Sequence, residues 1–259
     1  MSQRSYRLFQ AMILIGLGLF FLQRLWSGKL YYYINERFFI LVILAAIGFL
    51  ILAQVILPLP WRKAAYKQAV HSHEDDENDH TGHEHGEPAA SRWSLIILAL
   101  PLLLGLLVPA RSLGASAIAS KGFRTTAAFG ARESSATIQL NLPADERTVL
   151  DWIRSFNYSN DPSEFSGEAA DVIGFVYHDQ RLPENQFLVG RFTLTCCVAD
   201  AFAIGMIAEW PDAAVLKENT WVRVKGRVQV TNYEGQAFPL IQAESVKAVP
   251  EPFEPYLFP

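Results

Sequence analysis

A stretch of twenty residues without a charged side chain, 38–57, constrains this chain more than any other feature. An α-helix of that length rises about 30 Å, which is the thickness of the hydrocarbon core of a bilayer. The chain of 259 residues is 51% hydrophobic and only 19% charged, which is too apolar for an ordinary water-soluble domain of this size. We therefore predict that residues 38–57 cross a membrane.

Two further apolar runs flank this segment. Residues 93–110 carry no charge, and they contain Pro101, which lipid-embedded helices tolerate better than soluble ones. The run 8–22 is short, but the polar and aromatic residues that follow it can reach the interface. A cleaved signal peptide is the alternative there, although no small-x-small cleavage site follows the run. The sequence thus predicts three membrane helices, at about 8–26, 38–57 and 93–110.

The lysines and arginines of the predicted short loops are evenly divided between the two sides of the membrane. The cluster Arg62, Lys63 and Lys67, beside the most apolar run, favours a cytoplasmic N-terminus because positive loops tend to stay inside. After three crossings, the C-terminal half would lie outside the cytoplasm. We therefore expect a multi-pass protein of the cell membrane with an external C-terminal domain.

The chain changes character at residue 111, where charges, prolines and glycines become distributed as in a globular domain. Residues 143–156 are expected to form an amphipathic helix, since their apolar side chains recur at three- and four-residue spacings. The predicted domains are a membrane region (1–110, with a loop at 61–92), a linker (111–142), the amphipathic helix and its connection (143–165), and a β domain (166–259).

Residues 221–230 alternate valines with polar side chains, as in a strand with one buried and one solvated face. The other expected strands are 170–177, 187–195, 202–209 and 238–249, with a short helix at 211–217. Five strands with a helix between the third and the fourth are typical of a small all-β, OB-like barrel, although a small sandwich shares the pattern.

OB folds often bind oligonucleotides, but a fold does not set a function. The net charge of −4 does not provide the basic surface that nucleic acid requires, so we expect no nucleic-acid partner. The aromatic side chains of the barrel are expected to form its core rather than a platform for stacking bases. They are Phe175, Tyr177, Phe187 and Phe192.

The loop 61–92 contains five of the six histidines, interspersed with acidic residues. Imidazole suits zinc, nickel and copper, and a flexible tract can bring several imidazoles around one ion. The expected ligands of a divalent metal, zinc above all, are His71, His73, His80, His83, His85 and Glu84. The alternatives are an acidic tether without a ligand, and a segment that responds to pH near the ordinary histidine pKa of ~6.5.

Cys196 and Cys197 are the only cysteines, and because they are adjacent they exclude a disulfide framework. In a continuing strand their side chains would point to opposite faces, so a joint site requires the strand to end near Thr195. In that case the thiols suit zinc or copper(I), or a redox function, with Asp200 as the nearest partner. The alternative is that Cys196 is a small core residue.

Three segments carry a resemblance to a known family. They are GFVYHDQRLPENQFLVGRFTLTCCVADAFAIG at 174–205, WVRVKGRVQV at 221–230 and EPYLFP at 254–259, and TCCVADA is the most specific part. The chain resembles the YcgQ-type family of membrane permease subunits, closely over 143–259 and only in layout over the membrane half. The resemblance implies an accessory subunit partnered with a larger multi-pass permease, and it assigns no role to the cysteines.

No catalytic motif is present. His178 is the only histidine outside the loop, and no glycine-rich phosphate loop occurs. The leading hypothesis is therefore a non-enzymatic accessory subunit of a two-component membrane permease complex that binds or senses zinc through its loop. The alternatives are a membrane-anchored thiol-redox protein that uses Cys196 and Cys197, and a membrane-anchored binding module.

Overall fold

The computed structural model describes residues 3–57, 92–123 and 142–259. They divide into two compact units. The first combines Met1–Lys29 with Arg37–Ala110, and the second combines Leu30–Glu36 with Arg111–Pro259. Leu30–Glu36 falls inside the predicted membrane region, 1–110, because nothing in its composition separates it from the apolar runs on either side.

Among the described residues, the first unit contains three helices, α1 (Gln3–Trp26), α2 (Phe39–Ile56) and α3 (Arg92–Leu107), one on each predicted apolar run. Two helices among the described residues are long and apolar enough to cross a membrane, Arg4–Trp26 and Glu36–Ile56. The apolar part of α3, Trp93–Leu107, is shorter. The histidine-rich part of the predicted loop lies outside the described residues.

Most large side chains of α2 point outwards. Ile40, Leu44, Ile51 and Val55 are each more than half exposed, whereas the buried residues of this helix are the two small ones, Ala46 and Ala53. This arrangement is the reverse of a soluble helix, which buries its apolar face. It is the distribution expected where the surrounding solvent is lipid.

Small residues let the helices of this unit approach each other closely. A Cβ atom on Gly18 of α1 would lie 3.1 Å from the carbonyl oxygen of Ala46 and 2.9 Å from Leu50 Cγ. The rings of Phe21 and Phe49 stack nearby, with centroids 6.1 Å apart. Glycine and alanine at such contacts are typical of helix packing in membranes, where close backbone approach replaces hydrophobic burial.

Hydrogen bonds join α1 to α3 near both ends. The Tyr6 hydroxyl and Ser94 Oγ, near the start of each helix, lie 2.7 Å apart, and Arg24 Nη2 donates to the Gly105 carbonyl oxygen, near the end of each, at 2.6 Å. Since beginnings pair with beginnings and ends with ends, α1 and α3 run in the same direction.

In the part of the second unit that the structure describes, there are two α-helices and six strands. The helices are α4 (Ala115–Lys121) and α5 (Val149–Tyr158), and the strands are β1 (Ala169–Tyr177), β2 (Gln186–Thr193), β3 (Phe202–Glu209), β4 (Trp221–Tyr233), β5 (Gln236–Ala248) and β6 (Tyr256–Leu257). The strands form one sheet in the order β1-β4-β5-β3-β2-β6. β1 also pairs with β2, so the five long strands are joined in a closed cycle of pairings. Within this cycle only the β3–β5 pair is parallel.

The interior of the unit is built from alternating strand residues and from one face of α5. Phe175, Phe187 and Phe192 are buried, and Tyr177 packs against them half-buried, so their prediction as core residues is confirmed. Trp152 of α5 is fully buried. The turn between β4 and β5 has positive φ at Glu234 and Gly235, as a tight hairpin turn requires.

Several predicted element boundaries are wrong. α5 begins at Val149 rather than at 143, because Thr148 Oγ1 accepts the Asp151 amide in a capping box. Part of the expected linker is α4, whose Ala115 and Ile118 are buried. The expected helix at 211–217 is a single 3₁₀ turn, Ala213–Val215.

Candidate functional site

The predicted metal ligands of the loop, His71, His73, His80, His83, His85 and Glu84, lie outside the described residues. The predicted thiol residues lie inside them. Cys196, Cys197 and Asp200 stand on the connection between β2 and β3, which we name the cysteine loop (residues 194–201). The described residues bring these three side chains together.

The cysteine loop forms because β2 ends at Thr193, two residues before the expected end. The chain then makes a 3₁₀ turn at Val198–Asp200, for which Cys197 is the N-cap residue. The Asp200 carboxylate closes the turn, since Oδ2 accepts the Cys196 amide at 2.8 Å and Oδ1 accepts the Cys197 amide at 3.3 Å. The end of the strand therefore meets the condition that the sequence set for a joint site.

The two thiols lie side by side, with their Sγ atoms 3.7 Å apart. One ligand atom from each of Cys196, Cys197 and Asp200 lies within 4.8 Å of the others. Cys196 and Asp200 are exposed and Cys197 is half-buried. The alternative of Cys196 as a core residue is therefore wrong, because the chain has left the sheet before it reaches this residue.

The Asp200 carboxylate favours the protonated form of the Cys196 thiol. Its hydrogen bond with the Cys196 thiol, together with the neighbouring Cys197 thiol, raises the pKa of Cys196 to about 11. Partial burial acts to raise the pKa of Asp200, but hydrogen bonds from the Cys196 amide and thiol outweigh burial and lower it. Reactive cysteines have lowered pKa values, so a thiol that stays protonated does not favour nucleophilic or redox chemistry. A metal ion bound to such a thiol would displace its proton.

The connection between α1 and α2 holds the cysteine loop from one side. The Asn35 amide donates to the Cys196 carbonyl oxygen at 3.0 Å, and Asn35 Nδ2 donates to the Thr195 carbonyl oxygen at 3.2 Å. The Val198 amide donates to the Tyr33 carbonyl oxygen at 2.8 Å, and Ile34 forms a β-bridge with Cys197. No feature of the sequence predicts this pairing, because Leu30–Glu36 carries no strand pattern.

The C-terminal end of the chain contacts the start of the cysteine loop and the end of β2. The Leu194 amide donates to the Leu257 carbonyl oxygen at 3.0 Å, and β6 pairs in parallel with the last residues of β2. The buried Tyr256 hydroxyl accepts the Leu113 amide at 2.8 Å. The ending EPYLFP, prominent in the family resemblance, thus supports the backbone next to the cysteines.

A second cluster of charged groups surrounds Asp179, beyond the end of β1. Its carboxylate accepts hydrogen bonds from Arg181 Nε at 2.8 Å and from the Tyr233 hydroxyl at 2.8 Å. The bonds from the Arg181 guanidinium, the largest effect, lower the pKa of Asp179 to about 2. His178, the histidine nearest this cluster in sequence, has Nε2 2.8 Å from the Leu216 carbonyl oxygen. These partners lie within the protein, which indicates a structural cluster.

Two domain families match this chain over most of its length. The DUF1980 N-terminal domain matches residues 9–124, and the DUF1980 C-terminal domain matches residues 130–259. This chain belongs to the DUF1980 family. The likeness therefore covers the sequence of the membrane half as well, beyond the shared layout expected from the sequence.

Two relatives match the DUF1980 chain over most of its length. One is "UPF0703 protein YcgQ" of Bacillus subtilis, 26% identical over 97% of this chain and 99% of its own. The other, from Streptococcus mutans, is named "Putative two-component membrane permease complex subunit" and is 26% identical over 90% of this chain and 92% of its own. The family resemblance inferred from the sequence is confirmed.

One solved structure, a small single-stranded DNA-binding protein from Streptomyces coelicolor, aligns with the DUF1980 chain over 32% of this chain and 94% of its own. The identity is 14% and the TM-score is 0.22. We draw no conclusion from a likeness of this size.

Proposed function

We propose that this chain is a non-enzymatic, membrane-anchored accessory subunit of a two-component permease complex. The observation that carries the proposal is the likeness, over nine-tenths of the chain, to a relative named for that role. The outward-facing apolar side chains of α2 support membrane anchoring. No ionisable residue lies within 38–57 or 93–110, and since such residues mark ion and proton routes, their absence supports an accessory role over autonomous transport.

The anchor we propose has three spans, α1, α2 and α3. The connection Leu30–Glu36 belongs to the second unit, so it lies on the same side of the membrane as residues 111–259. If α2 leaves that side, a later segment must return to it. α3 supports this return, because it runs in the same direction as α1 and ends beside the end of α1.

The orientation we propose has a cytoplasmic N-terminus and an external second unit, as the loop charges favour. Reporter fusions test it: alkaline phosphatase, active outside the cytoplasm, and green fluorescent protein, fluorescent inside, are each joined to Pro259. We expect phosphatase activity and no fluorescence. The opposite pair of signals would reverse the orientation. A fusion after Lys29 must report the same side as Pro259, and opposite sides would contradict the three spans.

For the second unit we propose an OB-like barrel. The support is the closed cycle of pairings, with β3 and β5 parallel and the 3₁₀ turn Ala213–Val215 where such a barrel carries a helix. A barrel removes free sheet edges, which suits a compact module presented at a membrane surface.

We propose further that the loop binds zinc through His71, His73, His80, His83, His85 and Glu84. The support is compositional, since five of six histidines fall within fifteen residues among acidic neighbours. Calorimetric titration of the peptide 69–90 with Zn²⁺ tests this proposal against a peptide in which every histidine is asparagine. Equal heats from the two peptides would overturn it.

A thiol-redox function is the second candidate: the 3.7 Å contact between the Sγ atoms is the observation for it, and the raised pKa of the Cys196 thiol is the observation against it. Its test is mass spectrometry after alkylation of the full chain equilibrated at a series of thiol potentials. A redox pair must change state within that series. Cysteines that stay alkylatable at every potential would remove this candidate.

Co-purification decides the permease role. The full chain, tagged at native abundance, is extracted in mild detergent and its companions are quantified by mass spectrometry. We expect one multi-pass membrane protein in a fixed ratio to this chain, and its absence from a tagged, unrelated three-span control. Recovery of the chain alone, from membranes in which it is stable, would contradict the proposal.

A further inference from the structure

The cysteine loop carries an inference that does not depend on the permease role. We propose that Cys196, Cys197 and Asp200 bind one Zn²⁺ ion through two thiolates and one carboxylate, with the fourth coordination position open. The three groups lie within one five-residue segment, 196–200, so their convergence is fixed by the local turn rather than by distant parts of the chain.

The spacing of the sulfurs supports a shared ion. With Zn–S bonds of about 2.3 Å and tetrahedral angles, two thiolates on one Zn²⁺ stand about 3.8 Å apart. The Sγ atoms of Cys196 and Cys197 are 3.7 Å apart. The pair therefore needs almost no rearrangement to take up an ion. A continuing strand, by contrast, would place the two sulfurs on opposite faces.

Asp200 supplies an oxygen ligand that is already oriented. Backbone amides of Cys196 and Cys197 donate to its two carboxylate oxygens, and these bonds hold the carboxylate beside the thiols. When a metal ion displaces the Cys196 proton, the carboxylate lone pair that accepted this thiol becomes available to the metal. Hydrogen bonds of this kind orient metal ligands and increase metal affinity.

The donor set favours zinc among the metals that thiols bind. Copper(I) prefers soft sulfur ligands alone, whereas Zn²⁺ accepts thiolate and carboxylate ligands in the same site. Three protein ligands also leave one tetrahedral position for water or for a ligand from another molecule. Structural zinc sites are closed by four protein ligands, so an exposed site with three suits an ion that enters and leaves.

The cysteine loop contacts the segment that leads along the chain into α2. Asn35 contacts the backbone of Thr195 and Cys196, and it precedes the first residue of α2 by four positions.

Cobalt(II) is the probe that tests the site. It replaces Zn²⁺ in thiolate sites and gives a near-ultraviolet charge-transfer band only where sulfur is a ligand, so Co²⁺ on loop histidines is silent in this band. The full chain is used in detergent under reducing conditions, after its two free thiols have been counted. We expect a band that saturates at one Co²⁺ per chain and disappears when Zn²⁺ is added.

Variants assign the ligands. C196S and C197S should each lose about half of the band or more, and D200N should keep a band but need about tenfold more Co²⁺ for half-saturation. D212N is the matched control, because Asp212 is an exposed acid before another 3₁₀ turn and makes no capping bond; it should behave as the unaltered chain. No band with both thiols reduced, an undiminished band in C196S or C197S, an unchanged midpoint in D200N, or one Co²⁺ per two chains would overturn the proposal.

Discussion

The two units of this chain arrange apolar side chains in opposite ways. In α2 the large side chains face outwards, with Ile47 45% exposed, while Ala46 and Ala53 are buried. In the second unit the large side chains face inwards, and Phe192 is fully buried. The difference follows from the pattern of the residues rather than from their amount: an unbroken apolar run makes every face of a helix apolar, whereas alternation in a strand makes only one face apolar.

Replacing an exposed apolar residue by aspartate should have the largest effect, because a carboxylate is costly in lipid and harmless in water. Ile47 lies near the middle of α2, and I47D should make insertion of this helix less favourable by about 3–4 kcal/mol, because a carboxylate is costly at the centre of a bilayer. The measurement is the apparent free energy of insertion in a microsomal glycosylation assay, in which unaltered α2 and its I47D variant are each placed in the same reporter protein.

The matched change in the second unit is V215D. Val215 is 77% exposed, more than Ile47, yet the surrounding solvent we expect there is water. The free energy of unfolding of the full chain in urea, followed by near-ultraviolet circular dichroism, should change by no more than about 0.5 kcal/mol. A loss of several kcal/mol in V215D, or unaffected insertion of I47D, would remove the contrast between the units.

Close packing in the first unit predicts the next largest effect. A methyl group on Gly18 meets Leu50 and the Ala46 carbonyl oxygen, so G18A should destabilise the helix pair by about 1–3 kcal/mol. The control is G48A on α2, where a Cβ has nothing within 4 Å. Thermal denaturation of the full chain in mild detergent should show a lowered midpoint for G18A alone, and equal midpoints for the two variants would contradict this packing.

The fold was largely predictable where the chain repeats a simple period. The apolar runs predicted α1, α2 and α3, and the alternating valines of 221–230 predicted the core of β4. The errors lie where side-chain capping decides an end. Thr148 starts α5 six residues after the expected start, and α4 was missed because an Ala- and Ser-rich segment has no clear period.

The candidate site was predictable only in part. The sequence named Cys196, Cys197 and Asp200, and the condition that the strand must end before them is met. Nothing in the sequence indicated Asn35 or Tyr33 as contacts of this loop. Their hydrogen bonds run mainly through the backbone and join segments about 160 residues apart, and such pairings leave no local pattern of side chains.

Asp179 tests how the second unit stabilises buried charge. Its pKa of about 2 lies below the ordinary value of ~3.9, so its ion pair with Arg181 stabilises the fold above pH ~4 and loses this contribution as the pH falls towards 2. D179N should therefore lower the free energy of unfolding by about 1–2 kcal/mol at pH 7. Urea unfolding at a series of pH values measures the difference.

The free energies of unfolding of D179N and the unaltered chain should converge between pH 4 and pH 2. In this range Asp179 becomes protonated, and it is then uncharged, as asparagine is. Asp212 is exposed and forms no capping bond, so D212N should match the unaltered chain throughout. A difference that stays constant down to pH 2 would mean that shape, rather than charge, accounts for the role of Asp179.

The smallest predicted effect tests which unit the connection Leu30–Glu36 belongs to. Asn35 is 3% exposed and donates to the Thr195 carbonyl oxygen, so N35A should lower the free energy of unfolding of the second unit by about 0.5–1.5 kcal/mol. S27A is the control, since Ser27 is exposed and its hydroxyl donates to Arg24 within the first unit. Near-ultraviolet circular dichroism in urea follows both variants. Equal free energies of unfolding for N35A and S27A would mean that the connection Leu30–Glu36 does not stabilise the second unit. A lower free energy of unfolding in N35A with unchanged Co²⁺ binding would show that β6 and Asp200 are enough to hold the cysteines in place.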